Sequence, residues 1–288
     1  MTIDGTAKIT NRMVQTGDYQ THIMEGGNPS AEAIIFLHGS GPGVSAKSNW
    51  EYVLPEFIDE FYVVSPDLYG FGRTDHPEPD ELPKNGVEWL RARLDQVIAL
   101  MDTLKIKKAH LVGNSLGGVI ALHLVMEEPE RFGKVVLMGA GGGYFQPTIE
   151  LLKMQNFHKD PNPKTFANLL RWFVYDDVGL EDRLEEIVKE RLELFMRPEV
   201  RRSYESTFHN ANLADISIPP SAYRRMKHEF LLLHGQEDRF VPLESSLTMM
   251  EHIPNGQLHV FSKTGHWVQI EQKEKFVKLT KDFFNGEL

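Results

Sequence analysis

The chain has no cysteine among its 288 residues. This absence excludes a disulfide framework and thiolate metal ligands, and it fits the reducing cytoplasm, where we expect the protein to reside. None of the 12 histidines forms a pair with the H-E-x-x-H spacing of a zinc site. We therefore predict no metal and no cofactor.

The chain also lacks an excess of positive charge and a long apolar run. A net charge of -10 disfavours nucleic acid as a partner, because phosphate binding needs a basic patch. No stretch approaches the roughly 20 apolar residues that span a bilayer. The first eight residues contain no apolar segment of a secretory signal. We expect neither a nucleic acid nor a membrane as a partner.

The rest of the composition is typical of a globular protein, with 41% apolar and 25% charged residues. Residues 9–25 predict a pair of strands with a turn at 16–18, and strands then alternate with helices, which indicates a mostly parallel sheet. From 141 to 223 only helix-like segments occur, broken by prolines. We predict a core of residues 1–140 and 224–288, with a helical lid of residues 141–223 inserted into it.

The most informative motif is G-x-S-x-G, centred on Ser115. It follows a strand-like run and precedes a helix-like run, which is the context of a nucleophile elbow. The sharp turn requires small residues two positions before and after the serine, and Gly113 and Gly117 meet that need. The alternative is a Gly-rich turn that binds phosphate. The motif lacks both the Lys-Ser/Thr of a P-loop and G-x-G-x-x-G spacing.

A serine nucleophile needs a base, and the elbow implies the chain order Ser, Asp or Glu, His. Asp238 follows one apolar strand-like run and His266 follows another. The carboxyl ends of the strands form the ligand-binding edge of such a sheet, so we assign Ser115 as nucleophile, His266 as base and acid, and Asp238 as the group that orients the imidazole. Glu237 is the alternative to Asp238.

The chemistry also needs N–H groups that stabilise an oxyanion. Leu116, directly after the nucleophile, supplies one. The other comes from the loop His-Gly-Ser-Gly-Pro-Gly at residues 38–43, where Gly41 is the candidate donor and Ser40 its neighbour. An ordinary Gly-Pro turn is the alternative for this loop.

Four motifs together resemble the meta-cleavage-product hydrolases. They are the loop at 38–43, Gly-Asn-Ser-Leu-Gly-Gly at 113–118, Asp-Arg-Phe-Val-Pro at 238–242 and Gly-His-Trp at 265–267. These α/β-hydrolases cleave a carbon–carbon bond in ring-fission products of aromatic degradation. The resemblance extends over nearly the whole chain. It implies the α/β-hydrolase fold, a mostly parallel central sheet with helices on both faces and an inserted helical lid, and a homo-oligomer.

The resemblance also implies a site for the substrate carboxylate. Arg191 matches a lid arginine whose planar guanidinium grips a carboxylate. On the residues alone, a solvated helix face is the stronger interpretation, because residues 181–191 are dense in charge. Asn49 and Asn114 match groups at the polar end of the dienoate, and Trp267 packs beside that end.

Two lid aromatics, Phe173 and Tyr175, match positions that wall the family's pocket, and a plain core role is equally plausible for both. One position departs from many relatives, which carry a tryptophan two residues before the asparagine, where this chain has Lys47. This difference affects the shape of the pocket in that corner and leaves the predicted catalytic residues unchanged.

The resemblance implies hydrolysis of a 2-hydroxy-6-oxohexa-2,4-dienoate to a 2-hydroxypenta-2,4-dienoate and a carboxylic acid. The substituent on carbon 6 stays open. The same catalytic residues serve a carboxylesterase or lactonase, which is the first alternative. The second is a non-catalytic ligand-binding protein on a hydrolase fold, because a fold does not fix a function.

Overall fold

The computed structural model describes residues 8–143, 145–209 and 212–288. The expectation that the first residues form no secretory signal therefore concerns, at residues 1–7, a part of the chain outside the described residues. The same holds for the predicted lid at Tyr144, Asn210 and Ala211.

Eight strands of the described residues form one sheet in the spatial order β1-β2-β4-β3-β5-β6-β7-β8. β1 and β2 pair antiparallel around the turn at Gly17, as predicted, and β2 pairs antiparallel with β4. All other pairs are parallel. The strands are β1 (Thr10–Thr16), β2 (Tyr19–Gly26), β3 (Ala33–Leu37), β4 (Tyr62–Pro66), β5 (Ala109–Asn114), β6 (Phe132–Met138), β7 (Phe230–Gly235) and β8 (Gly256–Phe261).

Helices cover both faces of the sheet, as the predicted fold class requires. The α-helices of the described residues are α1 (Ala46–Trp50), α2 (Gly86–Thr103), α3 (Leu116–Glu127), α4 (Ile149–Gln155), α5 (Pro163–Arg171), α6 (Val178–Phe195), α7 (Pro198–Phe208), α8 (Pro220–Tyr223), α9 (Glu244–His252), α10 (Val268–Glu271) and α11 (Lys273–Asn285).

Strand β3 shows how the two faces are built. Successive side chains of a strand point to opposite faces. Ile35 and Leu37 join one buried cluster with α2 and α3, whereas Ile34 and Phe36 join a second cluster with α1 and α11. Both faces are therefore apolar, which explains why the central strands lack apolar–polar alternation.

Helices α4 to α8 lie between β6 and β7 in the chain, and the described part of this stretch contains no strand. Phe166, Leu170 and Phe195 belong to the same buried cluster as the α2 side of the sheet. The helical character predicted for this stretch is therefore present, and its treatment as a separate lid stays a prediction. Within the described residues, no helix is both long and apolar enough to cross a membrane.

Candidate active site

Ser115 occupies a strained turn between β5 and α3. Its backbone has φ 53° and ψ -112°, a conformation that residues with a side chain rarely adopt. A Cβ on Gly117 would lie 2.1 Å from the carbonyl oxygen of Leu37, and one on Gly113 would lie 2.5 Å from that of Gly117. Both glycines are therefore required by close backbone packing, which matches the expected nucleophile elbow.

Asp238 and His266 form a buried hydrogen-bonded pair. Nδ1 of His266 lies 2.6 Å from Oδ2 of Asp238, and the two side chains are nearly inaccessible to solvent. The neighbouring Glu237 instead accepts a hydrogen bond from the backbone N–H of Thr264 at 2.9 Å. The geometry therefore joins Asp238, rather than Glu237, to the candidate base.

Asp238 is held as a carboxylate. Burial alone would raise its pKa, but the charge and hydrogen bond of His266 outweigh burial and the net shift is downward. Oδ1 accepts hydrogen bonds from the backbone N–H groups of Phe240 and Val241, at 2.8 and 3.0 Å. An ionised Asp238 fixes the tautomer of His266 with the proton on Nδ1, which leaves Nε2 free to accept a proton.

The end of β6 connects this pair to the serine. The N–H of Ser115 donates to the carbonyl of Met138 at 3.0 Å. A Cβ on the next residue, Gly139, would lie 3.0 Å from Oδ2 of Asp238 and from Nδ1 of His266. Ser115, Asp238 and His266 follow β5, β7 and β8. Because β5 to β8 are adjacent and parallel, their carboxyl ends bring the three predicted residues to one edge of the sheet.

A neutral histidine shapes the loop at residues 38–43. His38 is fully buried; its Nδ1 lies 2.7 Å from the carbonyl of Gly39, and its Nε2 accepts the N–H of Leu68 at 2.9 Å. Burial lowers the pKa of His38 to about 4. Nδ1 therefore carries the proton and donates a hydrogen bond to the carbonyl of Gly39.

Asp67 is a second organising residue, and sequence reasoning missed it. Its Oδ1 accepts the N–H of Ala46 at 2.6 Å, and its Oδ2 lies 2.8 Å from the N–H of Arg73 and 2.9 Å from Nδ1 of His22. The carboxylate thus joins β2, the start of α1 and the loop after β4. No motif in the sequence indicates this role.

Ser40 and Gly41 face different neighbours. Ser40 lines a cavity together with Ser115 and Leu116. A Cβ on Gly41 would instead lie 3.4 Å from Nη2 of Arg191. The first N–H groups of a helix have no partner within the helix, so the N–H of Leu116 is available at the start of α3. The geometry favours Ser40 over the predicted Gly41 as the second donor and places Gly41 beside the arginine.

Arg191 is buried, not part of a solvated helix face. It is 5% exposed, its Nη2 donates to the carbonyl of Pro42 at 2.8 Å, and its Nε has no partner. The guanidinium lies 5.4 Å from the ring of Phe166 and 5.9 Å from that of Trp267. Among the described residues no carboxylate pairs with it, and burial lowers its pKa to about 10.

The two predicted asparagines have different surroundings. Oδ1 of Asn49 lies 3.4 Å from the N–H of Gly39, while Nδ2 is buried without a partner. Nδ2 of Asn114 donates to the carbonyl of Met138 at 3.1 Å. Asn49 therefore keeps a free donor near the loop at residues 38–43, whereas the amide nitrogen of Asn114 is used to hold the end of β6.

Phe173 lies between Phe240 and Trp267, with ring centroids 4.0 and 4.6 Å away, and 5.7 Å from His266. Its carbonyl accepts the N–H of His266 at 2.8 Å. Phe173 thus positions the candidate base as well as packing beside it. Tyr175 is 45% exposed and does not wall a buried pocket.

Lys47 forms an ion pair with Glu190, the residue before Arg191 on α6. Both side chains are about half exposed. The departure at this position therefore lies on the outer surface, where α1 meets α6, and not in the buried corner around Arg191.

The cavity beside Ser115 is also lined by Arg93 of α2, a charged residue that no sequence motif indicates. Another depression of the described surface lies around Ala33, Ala109 and Phe132. These residues begin β3, β5 and β6, so that depression is at the opposite edge of the sheet. The described residues contain no cluster of three His, Asp or Glu side chains that could hold a metal ion.

Comparisons with known proteins show the family and the fold of the chain. Residues 32–273 match the family model described as the alpha/beta hydrolase fold. A Pseudomonas putida protein named 2-hydroxy-6-oxo-2,4-heptadienoate hydrolase is 36% identical over 281 residues, which cover 96% of each chain. A Comamonas testosteroni protein named 2-hydroxy-6-oxononadienedioate/2-hydroxy-6-oxononatrienedioate hydrolase is 35% identical over 277 residues, covering 93% of each.

A solved structure is similar over nearly its full length. It is the 2-hydroxy-6-oxo-6-phenylhexa-2,4-dienoate hydrolase of Rhodococcus sp. strain RHA1, which is 38% identical, with a TM-score of 0.93. The match covers 97% of this chain and 99% of that chain. The names of these three proteins differ in the group attached to a shared hydroxy-oxo-dienoate unit.

Proposed function

This chain belongs to the α/β-hydrolase family and, within it, to the meta-cleavage-product hydrolases, and from that premise we propose its reaction. It cleaves a carbon–carbon bond of a 2-hydroxy-6-oxohexa-2,4-dienoate by hydrolysis. The products are a 2-hydroxypenta-2,4-dienoate and a carboxylic acid. The three relatives described above carry names of hydrolases for substrates of this type.

The observation that supports this reaction most strongly is the unpaired, buried guanidinium of Arg191. A buried charge without a partner is costly, so it persists where a ligand supplies the opposite charge. The N–H groups of Arg191 suit a carboxylate, since the fork of a guanidinium matches its two oxygens. A hydrolase of neutral esters has no use for this charge. We infer that Arg191 and the free Nδ2 of Asn49 bind the carboxylate end of the dienoate.

The loop at residues 38–43 lies between the carboxylate-binding Arg191 and the nucleophile Ser115. Gly39 faces Ser115 and Gly41 faces Arg191. Two residues of chain span at most about 7 Å, a distance that a six-carbon dienoate can bridge. This spacing supports the proposal that the 6-oxo carbon lies at Ser115 when the carboxylate lies at Arg191.

The proposed chemistry needs one base and one oxyanion site. The dienol first becomes a ketone by moving a proton to carbon 5. Ser115, or a water that it helps to activate, then attacks the 6-oxo carbon while Nε2 of His266 takes the proton. The N–H groups of Leu116 and of Ser40 or Gly41 stabilise the oxyanion. The bond between carbons 5 and 6 breaks because the electron pair leaves into a conjugated dienolate. Water supplies the hydroxyl group of the acid product and the proton that the dienolate takes up.

The test is loss of visible absorbance of ring-fission dienoates mixed with the purified protein. We expect rapid bleaching by the wild type and a loss of at least 1,000-fold in turnover for Ser115→Ala, on the order of the contribution of a catalytic nucleophile. Near-native turnover of Ser115→Ala would show that the nucleophile is assigned wrongly.

A matched pair of variants tests the third residue. Asp238→Asn removes the carboxylate that holds the tautomer of His266, so turnover should fall by about 10³- to 10⁴-fold. Glu237→Gln changes a carboxylate one residue away that only bonds the backbone of Thr264, so turnover should stay within about threefold. Equal losses in both variants would contradict the assignment of Asp238.

We further propose that α4 to α8 form a lid over the site, and that the protein is a cytoplasmic homo-oligomer. The position of Arg191 on α6 supports the lid, and the lack of cysteine supports the compartment. Strand β8 ends the sheet in the described residues, which leaves one side of it for pairing or packing with another copy. Size-exclusion chromatography with light scattering tests the assembly, and a monomer would refute it.

A further inference from the structure

Arg93 is a second buried arginine beside the candidate nucleophile. It lines the same cavity as Ser115 and Leu116, and its side chain is 2% exposed. Its guanidinium lies 4.9 Å from the ring of Phe71 and 4.8 Å from that of Trp89. Two aromatic faces therefore hold the charge in place from α2 and from the loop after β4.

The protein satisfies only part of this guanidinium. Nε donates to the carbonyl of Tyr69 at 3.1 Å, and Nη2 donates to Oγ1 of Thr207 at 2.9 Å. These are neutral acceptors, and within the described ranges no Asp or Glu forms an ion pair with Arg93. A guanidinium has five N–H donors, so three remain for another acceptor. Burial lowers the pKa of Arg93 to about 9, with no acidic neighbour to oppose it.

The cavity that Arg93 lines is otherwise without charge in its described residues, and most of its wall is apolar. The apolar lining includes Phe145, Leu151, Leu213, Ile216 and Val241. A site that is mostly apolar with a single charged group orients a ligand with an apolar body and one end of the opposite charge.

Arg93 and Arg191 make different contacts near the loop at residues 38–43. Arg191 contacts that loop directly, through the carbonyl of Pro42. Arg93 shares its cavity with Ser40 of the loop and packs on Phe71, whose ring lies edge-on against His38 with centroids 5.5 Å apart. A substrate whose carboxylate lies at Arg191 and whose reacting carbon lies at Ser115 would extend the group on carbon 6 into the cavity that Ser115 and Arg93 line.

We propose that Arg93 binds a second carboxylate at the far end of the group on carbon 6, so that the preferred substrate is a dicarboxylate. This inference rests on the proposed reaction and names the class of substrate within it. The carboxylate takes the donors of Arg93 that the protein leaves unused, and the apolar walls contact the carbons between the reacting ketone and that carboxylate.

A purely structural role for Arg93 is the competing explanation, because it links α2 to Tyr69 and Thr207. The two roles differ in what they do to a neutral substrate. A structural role lowers turnover of every substrate alike, whereas a carboxylate-binding role acts only on substrates that carry the second charge.

The experiment uses two 6-substituted dienoates of equal length, one ending in a carboxylate and the other in the uncharged carboxamide. We expect the wild type to show at least tenfold higher kcat/KM for the diacid. Arg93→Gln should lower kcat/KM for the diacid by about 10- to 100-fold, which is the range for a hydrogen bond to a charged group, and change the amide by less than threefold. Thr207→Val is the matched control, since it removes an acceptor of Arg93 and keeps the charge; its preference for the diacid should persist.

The outcomes separate the two proposals. Wild-type bleaching of the amide and of 6-alkyl dienoates without preference for the diacid would overturn the role of Arg93 and leave the reaction intact. Equal losses on both substrates in Arg93→Gln would also overturn it, in favour of a structural role. If Arg93→Gln does not fold, the wild-type preference alone decides. Failure to bleach any dienoate would overturn the proposed reaction itself, and this inference with it.

Discussion

Replacing Arg191 with methionine should lower activity and make the protein more stable. Methionine has a similar length and fits among the rings of Phe166 and Trp267, but it brings no charge into the interior. Because the guanidinium is 5% exposed and lacks a carboxylate partner, the folded protein holds this charge at a free-energy cost that only a bound substrate offsets.

The structure sets the size of both effects. Burial lowers the pKa of Arg191 to about 10. Each unit by which a pKa is lowered corresponds to about 1.4 kcal/mol, so burial of the charge costs about 3 kcal/mol. Methionine loses one hydrogen bond, to Pro42, and the attraction of the aromatic rings, together about 2 kcal/mol. The net gain in the free energy of unfolding is about 1 kcal/mol, or roughly 2 °C in Tm.

The effect of Arg191→Met on activity is unfavourable, and its free energy is larger than the gain in stability. A hydrogen bond between charged groups contributes about 1.5–3 kcal/mol, so kcat/KM for a dienoate should fall by about 10- to 150-fold in Arg191→Met. Urea unfolding measures the stability and bleaching measures the turnover. Arg183→Met on the same helix is the control, because Arg183 is half exposed and should alter neither quantity. A variant Arg191→Met that is several kcal/mol less stable, with unchanged kcat/KM, would refute the reasoning.

Two further predictions concern the frame around the site. Burial alone would raise the pKa of Asp67, but the hydrogen bond and charge of His22 outweigh burial and the net shift is downward. The ionised form therefore stabilises the fold above the pKa of an unfolded aspartate, about 4, and this contribution is lost as the pH falls through the lower native pKa. Asp67→Asn should therefore lower the free energy of unfolding by about 2 kcal/mol at pH 7 and by less at pH 3, as followed by urea titration; an equal loss at both pH values would contradict this. Gly117→Ala should abolish soluble, active protein, because its Cβ would clash with the carbonyl of Leu37. Gly179→Ala is the control, since Gly179 on α6 has open space around it and the change should raise Tm slightly. Equal Tm values for the two variants would contradict this prediction.

The parts of the site that sequence predicted are those that a few consecutive residues determine. The elbow at Ser115 depends on the two nearby glycines, which leave their mark as a short motif. Asp238 and His266 each directly follow a strand, and the parallel sheet then brings strand ends together. Residues 9–25 likewise predict the strand pair β1–β2 through the turn at 16–18.

The parts that sequence could not predict depend on packing between distant segments. Ser40 and Gly41 are adjacent in one glycine-rich loop. Only the fold shows that Gly41 faces Arg191 while Ser40 faces the cavity. Tyr175 lies two residues from the buried Phe173 but points to solvent. Arg93 is not predicted, because an arginine on an amphipathic helix is ordinarily solvated and the neighbours that bury it, such as Phe71 and Thr207, come from other parts of the chain.

His38 has a consequence for how the enzyme should respond to acidity. Both of its ring nitrogens are engaged, and with a pKa of about 4 it stays neutral from mildly acidic to alkaline solution. The loop beside the reacting carbon therefore keeps one shape over that range, and a change in the loop does not contribute to a pH–rate profile measured there. Below about pH 4 a protonated His38 would repel the N–H of Leu68, so the loop would open and activity would stop abruptly instead of declining along a single titration curve.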